Sequence, residues 1–91
     1  MTTPEQPETL LEFPCQYPVK AMGETSADFD AIVVEIIRRH VAHLPENAVS
    51  SRQSTGGKYT SVTVTIQATS KAQLDAIYQD LTDDKRIKYA L

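Results

Sequence analysis

From Lys58 to Ala68 the chain alternates without a break. Val62, Val64, Ile66 and Ala68 fall on one side of an extended segment, and Tyr59, Ser61, Thr63, Thr65 and Gln67 fall on the other. A strand with one apolar and one polar face covers a core on one side and meets water on the other. That is the pattern of an antiparallel sheet, since a parallel sheet is normally buried on both faces. The apolar face needs a second layer to cover it, and a chain of 91 residues has room for one such layer around one core.

The covering layer is written on both sides of this strand. Phe29, Ile32, Val33, Ile36, Ile37, His40, Val41 and Leu44 recur at the three-and-four spacing of one helical face, and Pro45 is placed to stop that helix. Gly23 precedes it, with Thr25 or Ser26 positioned to cap it. A second helix carries Leu74, Ile77, Tyr78 and Leu81, opens on the capping-box spacing of Ser70 and Gln73, and ends around Asp83-Asp84. Three further strands complete the pattern. Tyr17 to Met22 alternates, with Pro18 expected at a strand start or sheet edge. Val49 to Thr55 is a weak, polar strand, joined to Lys58 by a two-residue turn at Gly56-Gly57. Arg86 to Leu91 alternates with Ile87, Tyr89 and Leu91 on the apolar side.

The order β-α-β-β-α-β predicts an α+β, two-layer, ferredoxin-like sandwich. Its four-stranded antiparallel sheet has strand order 4-1-3-2, with both helices on one face. The second strand then lies at an edge, where its polarity and Arg52 protect it from further pairing. Ile36, Ile37, Val64, Ile66, Ile77 and Leu81 form the expected core. Residues 1–9 read as a flexible acidic tail and 10–91 as a single domain, with Leu10, Leu11 and Phe13 pinning the tail to the core.

Charge narrows the functions available. The net charge is −3, and Glu5, Glu8 and Glu12 account for all of it: residues 16–91 hold nine basic and nine acidic side chains. Nucleic acid is not the expected partner, because binding it requires a concentrated positive field. The outward positions of the third strand also offer hydroxyls where RNA-recognition sheets present aromatic rings. No membrane association is expected either. The longest unbroken apolar stretch is Ala31 to Val34, and the first residues lack both the basic start and the apolar run of a secretory signal. These features suit a cytoplasmic protein.

No catalytic or metal constellation emerges, and no cofactor is expected. Cys15 is the only cysteine and has no activating signature around it; it reads as a small packed thiol. His40 and His43 lie three apart, but His40 belongs to the apolar stripe, and an imidazole near a helix C-terminus also suits the helix dipole. Gly56-Gly57-Lys58 leads into a strand, whereas a phosphate loop opens a helix.

Four segments carry a family resemblance: Leu10-Leu11-Glu12-Phe13-Pro14, Val19-Lys20-Ala21-Met22-Gly23, the stretch ending Arg39-His40, and Gly57 through Ile66. In order and over nearly the whole chain, they resemble the YbeD-like family of small bacterial proteins. The resemblance implies the same β-α-β-β-α-β fold, similar to the ACT domains that bind amino acids and regulate metabolic enzymes. By that likeness, ligand would meet the loop after the first strand, at Met22, Gly23, Glu24 and Thr25. The Pro-Gly pair common there in ACT domains is absent from this chain.

The expected function is a non-catalytic binding or regulatory module for a small anionic metabolite or an acidic partner segment. Its candidate site gathers Lys20, Met22, Gly23, Ser61, Thr63, Thr65, Arg86 and Lys88 at the open sheet face, with the three cations as one positive patch. The acidic tail is expected to sweep across this patch and screen it weakly. The alternative is a structural protein–protein interaction domain that pairs through its open sheet face or edge strand. Self-association through those surfaces is compatible with the fold.

Overall fold

A computed structural model describes residues 12–91. Its elements run β1 (Cys15–Glu24), α1 (Phe29–Arg38), a short 3₁₀ turn (Glu46–Ala48), β2 (Val49–Gln53), β3 (Tyr59–Ala68), α2 (Lys71–Asp83) and β4 (Tyr89–Ala90). The sheet order is β2-β3-β1-β4, which is the predicted order read from the opposite edge. All three pairings are antiparallel. The six residues expected in the core are all at most 2% exposed, in one cluster with Val19, Phe29, Val33 and Val62. The readings of residues 1–9 and of Leu10 and Leu11 lie outside the described residues. Phe13 is half-buried and packs on the core.

β1 is longer than expected, ten residues paired throughout with β3. It is central in the strand order, but β4 reaches only Lys20–Met22, so Pro18 lies beyond a strand start yet beside a locally open edge. The alternation of backbone groups explains how this is tolerated. Lys20 exchanges both backbone hydrogen bonds with Leu91, at 3.0 and 2.8 Å, so Lys20 and every second residue from it turn their backbone polar groups away from β3. Pro18 belongs to that set, and it lies beyond the last β1–β4 pair. Its missing N–H interrupts no ladder.

α1 stops at Arg38, six residues before the predicted end at Leu44, with no proline or glycine at the boundary. Its last turn tightens as Arg39 and His40 donate to carbonyls three residues back, at 3.3 and 3.0 Å. The His40 carbonyl then accepts from Gln73 Nε2 at 2.8 Å, and His40 Nε2 lies 2.6 Å from Asp80 Oδ2. Bonds to α2 thus replace the next helical turn. Val41 and Leu44 are still buried from the irregular segment that follows, which is why the apolar periodicity overran the helix.

The two helix starts differ as well. Ser70 Oγ accepts from Gln73 N at 3.1 Å, as the capping-box spacing predicts. The return bond from the Gln73 side chain reaches Thr69 N at 2.7 Å, one residue earlier than in the standard box. Neither Thr25 nor Ser26 caps α1. The N-cap residue is Asp28, which makes no side-chain cap bond. Thr25 Oγ1 is instead 2.8 Å from Thr60 Oγ1, and Ser26 Oγ donates to Asp28 Oδ1 at 3.1 Å.

The hairpin and the last strand depart from expectation in instructive ways. Gly56 and Gly57 have φ of 87° and 75°, the left-handed region where glycine has no Cβ penalty. The loop around them is wider than two residues. The Ser54 hydroxyl accepts from Tyr59 N at 3.1 Å and its carbonyl accepts from Gly57 N at 2.8 Å, so β2 ends at Gln53 and β3 begins at Tyr59. At the other end of the chain, Ile87 is buried but Tyr89 and Leu91 are 56% and 59% exposed. Lys88 N bonds to Met22 O at 2.8 Å, yet Met22 is opposite Tyr89. Two residues share one partner there, so the alternation slips by one: Ala90 faces the core beside Ala21, and Tyr89 and Leu91 turn to the open face.

Candidate functional site

The predicted site residues divide into two groups. Lys20, Met22, Ser61, Thr63 and Thr65 lie on the open sheet face. Register places Lys20 opposite Thr63 and Thr63 opposite Ser50; Met22 is opposite Ser61, and Ser61 opposite Arg52. Lys20, Ser50, Ser51, Arg52, Ser61 and Thr63 line a shallow groove of about 380 Å³. Thr65 sits further along, beside Gln16, Gln67 and the 3₁₀ turn.

Gly23, Arg86 and Lys88 belong elsewhere. Arg86 and Lys88 line a different hollow from the groove that holds Lys20. It measures about 460 Å³ and lies at the end of β1, lined also by Glu24, Thr25, Ser26, Asp28, Phe29, Ile32 and Lys85. Gly23 sets the depth of this hollow. A Cβ there would collide with the Phe29 ring and would stand 2.5 Å from the Arg86 carbonyl oxygen, so only glycine lets β1, α1 and the segment before β4 approach so closely.

Hydrogen bonds fix both walls. Thr25 N donates to Lys58 O at 2.9 Å, tying the β1–α1 connection to β3. Opposite it, Asp84 accepts from Arg86 three times: from Nε at 2.9 Å, from the terminal nitrogen at 2.7 Å and from the backbone N at 2.9 Å. The side-chain bond from Arg86 does most to hold the Asp84 carboxyl down at about 2, and the same partner raises the guanidinium. Lys85 and Lys88 make no ion pair with another described residue. The lining therefore sets Lys85, Arg86 and Lys88 against Glu24 and Asp28, three basic groups against two acidic ones, and contains neither histidine nor cysteine.

The remaining candidates lie apart from both places. Cys15 is half-buried at the start of β1. His40 is held by Asp80, with Arg39 3.8 Å from the same oxygen, while His43 is exposed. Tyr78, on α2, donates to the Leu91 carbonyl. Burial, with a bond to Tyr17, holds its proton far above the ordinary phenol range. Arg52 and Ser50 in the groove, and Lys85 and Asp28 in the hollow, are additions that the sequence reading did not place in a site. It assigned Arg52 to edge protection and did not carry the hairpin register across to β2.

Comparison with known proteins agrees over nearly the full chain. A family model described as "Protein of unknown function (DUF493)" matches residues 8–91. A UPF0250 protein of Paraburkholderia phytofirmans is 42% identical over 84 residues, which cover 92% of this chain and 94% of that protein. One from Neisseria gonorrhoeae is 36% identical over the full length of both. The solution structure of protein HP0495 from H. pylori superposes with a TM-score of 0.69 over all of this chain and 96% of that one. Its sequence identity is 13%, so the likeness is one of fold. No helix among the described residues is long and apolar enough to cross a membrane.

Proposed function

The chain belongs to the DUF493 family of UPF0250 proteins, and with that as premise we propose that it is a non-catalytic binding module for a small anionic metabolite, seated in the hollow at the end of β1. The observation that carries this reading is that Lys85 and Lys88, neither in an ion pair with another described residue, line one hollow with the start of α1. Phe29 N already bonds to the Ser26 carbonyl and Ala31 N to Asp30 Oδ1, so the attraction for a carboxylate or phosphate comes from the lysines. The hollow also lies along the β1–α1 connection, where the likeness to ACT domains would put an amino acid. Glu24 and Asp28 can receive a ligand's ammonium group.

A regulatory role follows if occupancy changes how the two walls sit, since Gly23 already holds them in contact. The test is a ¹⁵N chemical-shift titration of the full chain with individual amino acids, dicarboxylates and inorganic phosphate. At least one should saturate below about 1 mM, moving amides of residues 24–28 and 85–88, and Lys88→Glu should abolish the response. Shifts confined to other surfaces, or none that saturate, would dismiss the hollow as a ligand site.

A further inference from the structure

The open sheet face carries a second, independent arrangement. Two rows cross all four strands: Ser50, Thr63, Lys20 and Leu91 in one, and Arg52, Ser61, Met22 and Tyr89 in the other. Each row contains one cation and at least one hydroxyl, and neither contains an acid. Lys20 and Arg52 make no ion pair with another described residue. The β4 end of both rows is apolar. Tyr89 and Leu91 are the large hydrophobic residues exposed among those described, and both lie on this face, next to Met22. One surface therefore joins unpaired positive charge, a hydroxyl floor and exposed apolar area.

We infer that this face docks an extended acidic segment of a partner protein, with carboxylates over Lys20 and Arg52 and an apolar side chain against Met22, Tyr89 and Leu91. Charge complementarity selects the occupant. Carboxylates suit cations backed by hydroxyl donors, and an exposed tyrosine beside aliphatic groups is the usual anchor of a protein interface. The length of the two rows argues for a segment over a metabolite, since Arg52 and the exposed ring of Tyr89 lie at opposite ends of a row that crosses four strands. A second copy of this chain fits less well. Two such faces brought together about a two-fold axis would set the Lys20 and Arg52 pairs against each other without a countercharge.

The probe is a synthetic peptide of about ten residues with Glu in one half and Leu in the other, each spaced by Ser, so that one side of the extended chain carries both kinds of group across four strands about 4.8 Å apart. A second peptide with Gln in place of Glu is the control. The Glu peptide should shift the amides of Ser50, Ser61, Thr63 and Tyr89 saturably, and bind more weakly as salt rises. K20E with R52E should weaken it at least about tenfold. Tyr89→Ala should cost about threefold or more and keep that effect at high salt. These side chains are exposed, and circular dichroism checks that each variant stays folded. Lys85→Glu, which alters the hollow away from Met22 and Tyr89, should leave peptide affinity unchanged at moderate salt, so failure here is distinct from failure of the metabolite site. Four results would overturn the inference: no saturable binding, equal affinity for the Gln peptide, competition by free citrate or pyrophosphate as strong as by the peptide, or reversible dimerisation that buries the same amides.

Discussion

The two halves of this fold, β1-α1-β2 and β3-α2-β4, reach stability by different routes. α1 turns five residues into the core, Phe29, Ile32, Val33, Ile36 and Ile37, and has no side-chain cap at its start. α2 buries three, Leu74, Ile77 and Leu81, but is closed at its N-terminus by Ser70 and Gln73 and carries local pairs such as Lys71–Asp75 at 2.9 Å and Gln79–Asp83 at 2.9 Å. One helix is held mainly by packing and the other has more help from local hydrogen bonds. At the start of α1, Phe29 N bonds to the Ser26 carbonyl and Ala31 N to Asp30 Oδ1, so its first turn is closed by other means than a side-chain cap.

Mutations can break this contrast in order of size. Ile36→Ala, in the packed half, should lower unfolding free energy by about 2–5 kcal/mol through lost burial and the cavity left behind. Equal denaturant midpoints for this variant and the parent would refute the packing account. Gly23→Ala should cost about 1–3 kcal/mol as the Phe29 ring and the segment before β4 are pushed apart, with amide shifts concentrated on both walls of the hollow. Ser70→Ala should cost only about 1 kcal/mol, and hydrogen exchange should rise mainly in the first turn of α2. If it matches Ile36→Ala, the proposed division between the halves is wrong.

The smallest expected effect is a dependence on acid. The folded state holds the Asp84 carboxyl at about 2, below the ordinary 3.8, so folding favours the ionised form. That stabilisation is complete above about pH 4 and disappears as pH falls through about 2. Asp84→Asn should flatten this part of the stability profile and leave the neutral-pH fold intact. Denaturant midpoints taken along that acid range would show it, and an unchanged slope in the variant would count against the Arg86 fork as its source.

These regions also show where a sequence is legible. The hydrophobic periods of β3, α1 and α2 report burial directly, and the sheet order followed from them. Periodicity reports burial and not hydrogen bonding, which is why Val41 and Leu44 extended the apparent helix beyond the point where His40 bonds to α2. The flip of Tyr89 and Leu91 depends on a single bond, Lys88 N to Met22 O. The Ile87–Tyr89–Leu91 alternation gave no sign of it. Arg52 and Ser50, by contrast, were within reach. Counting outward from Gly56-Gly57 pairs Arg52 with Ser61 and Ser50 with Thr63, the register observed, although the loop closes one residue earlier.

Pro18 has a consequence for association between molecules. Beside Cys15–Val19 the β4 side of β1 has no β4 pairing, and an unpaired stretch in mid-sheet is where a foreign strand would dock and template further growth. The backbone groups turned to that side come from Gln16 and Pro18, and proline supplies an acceptor without a donor. A strand arriving there finds one complete pair of bonds at Gln16 and then a missing rung. The residue that looked out of place in a central strand therefore removes one donor from this open side of β1.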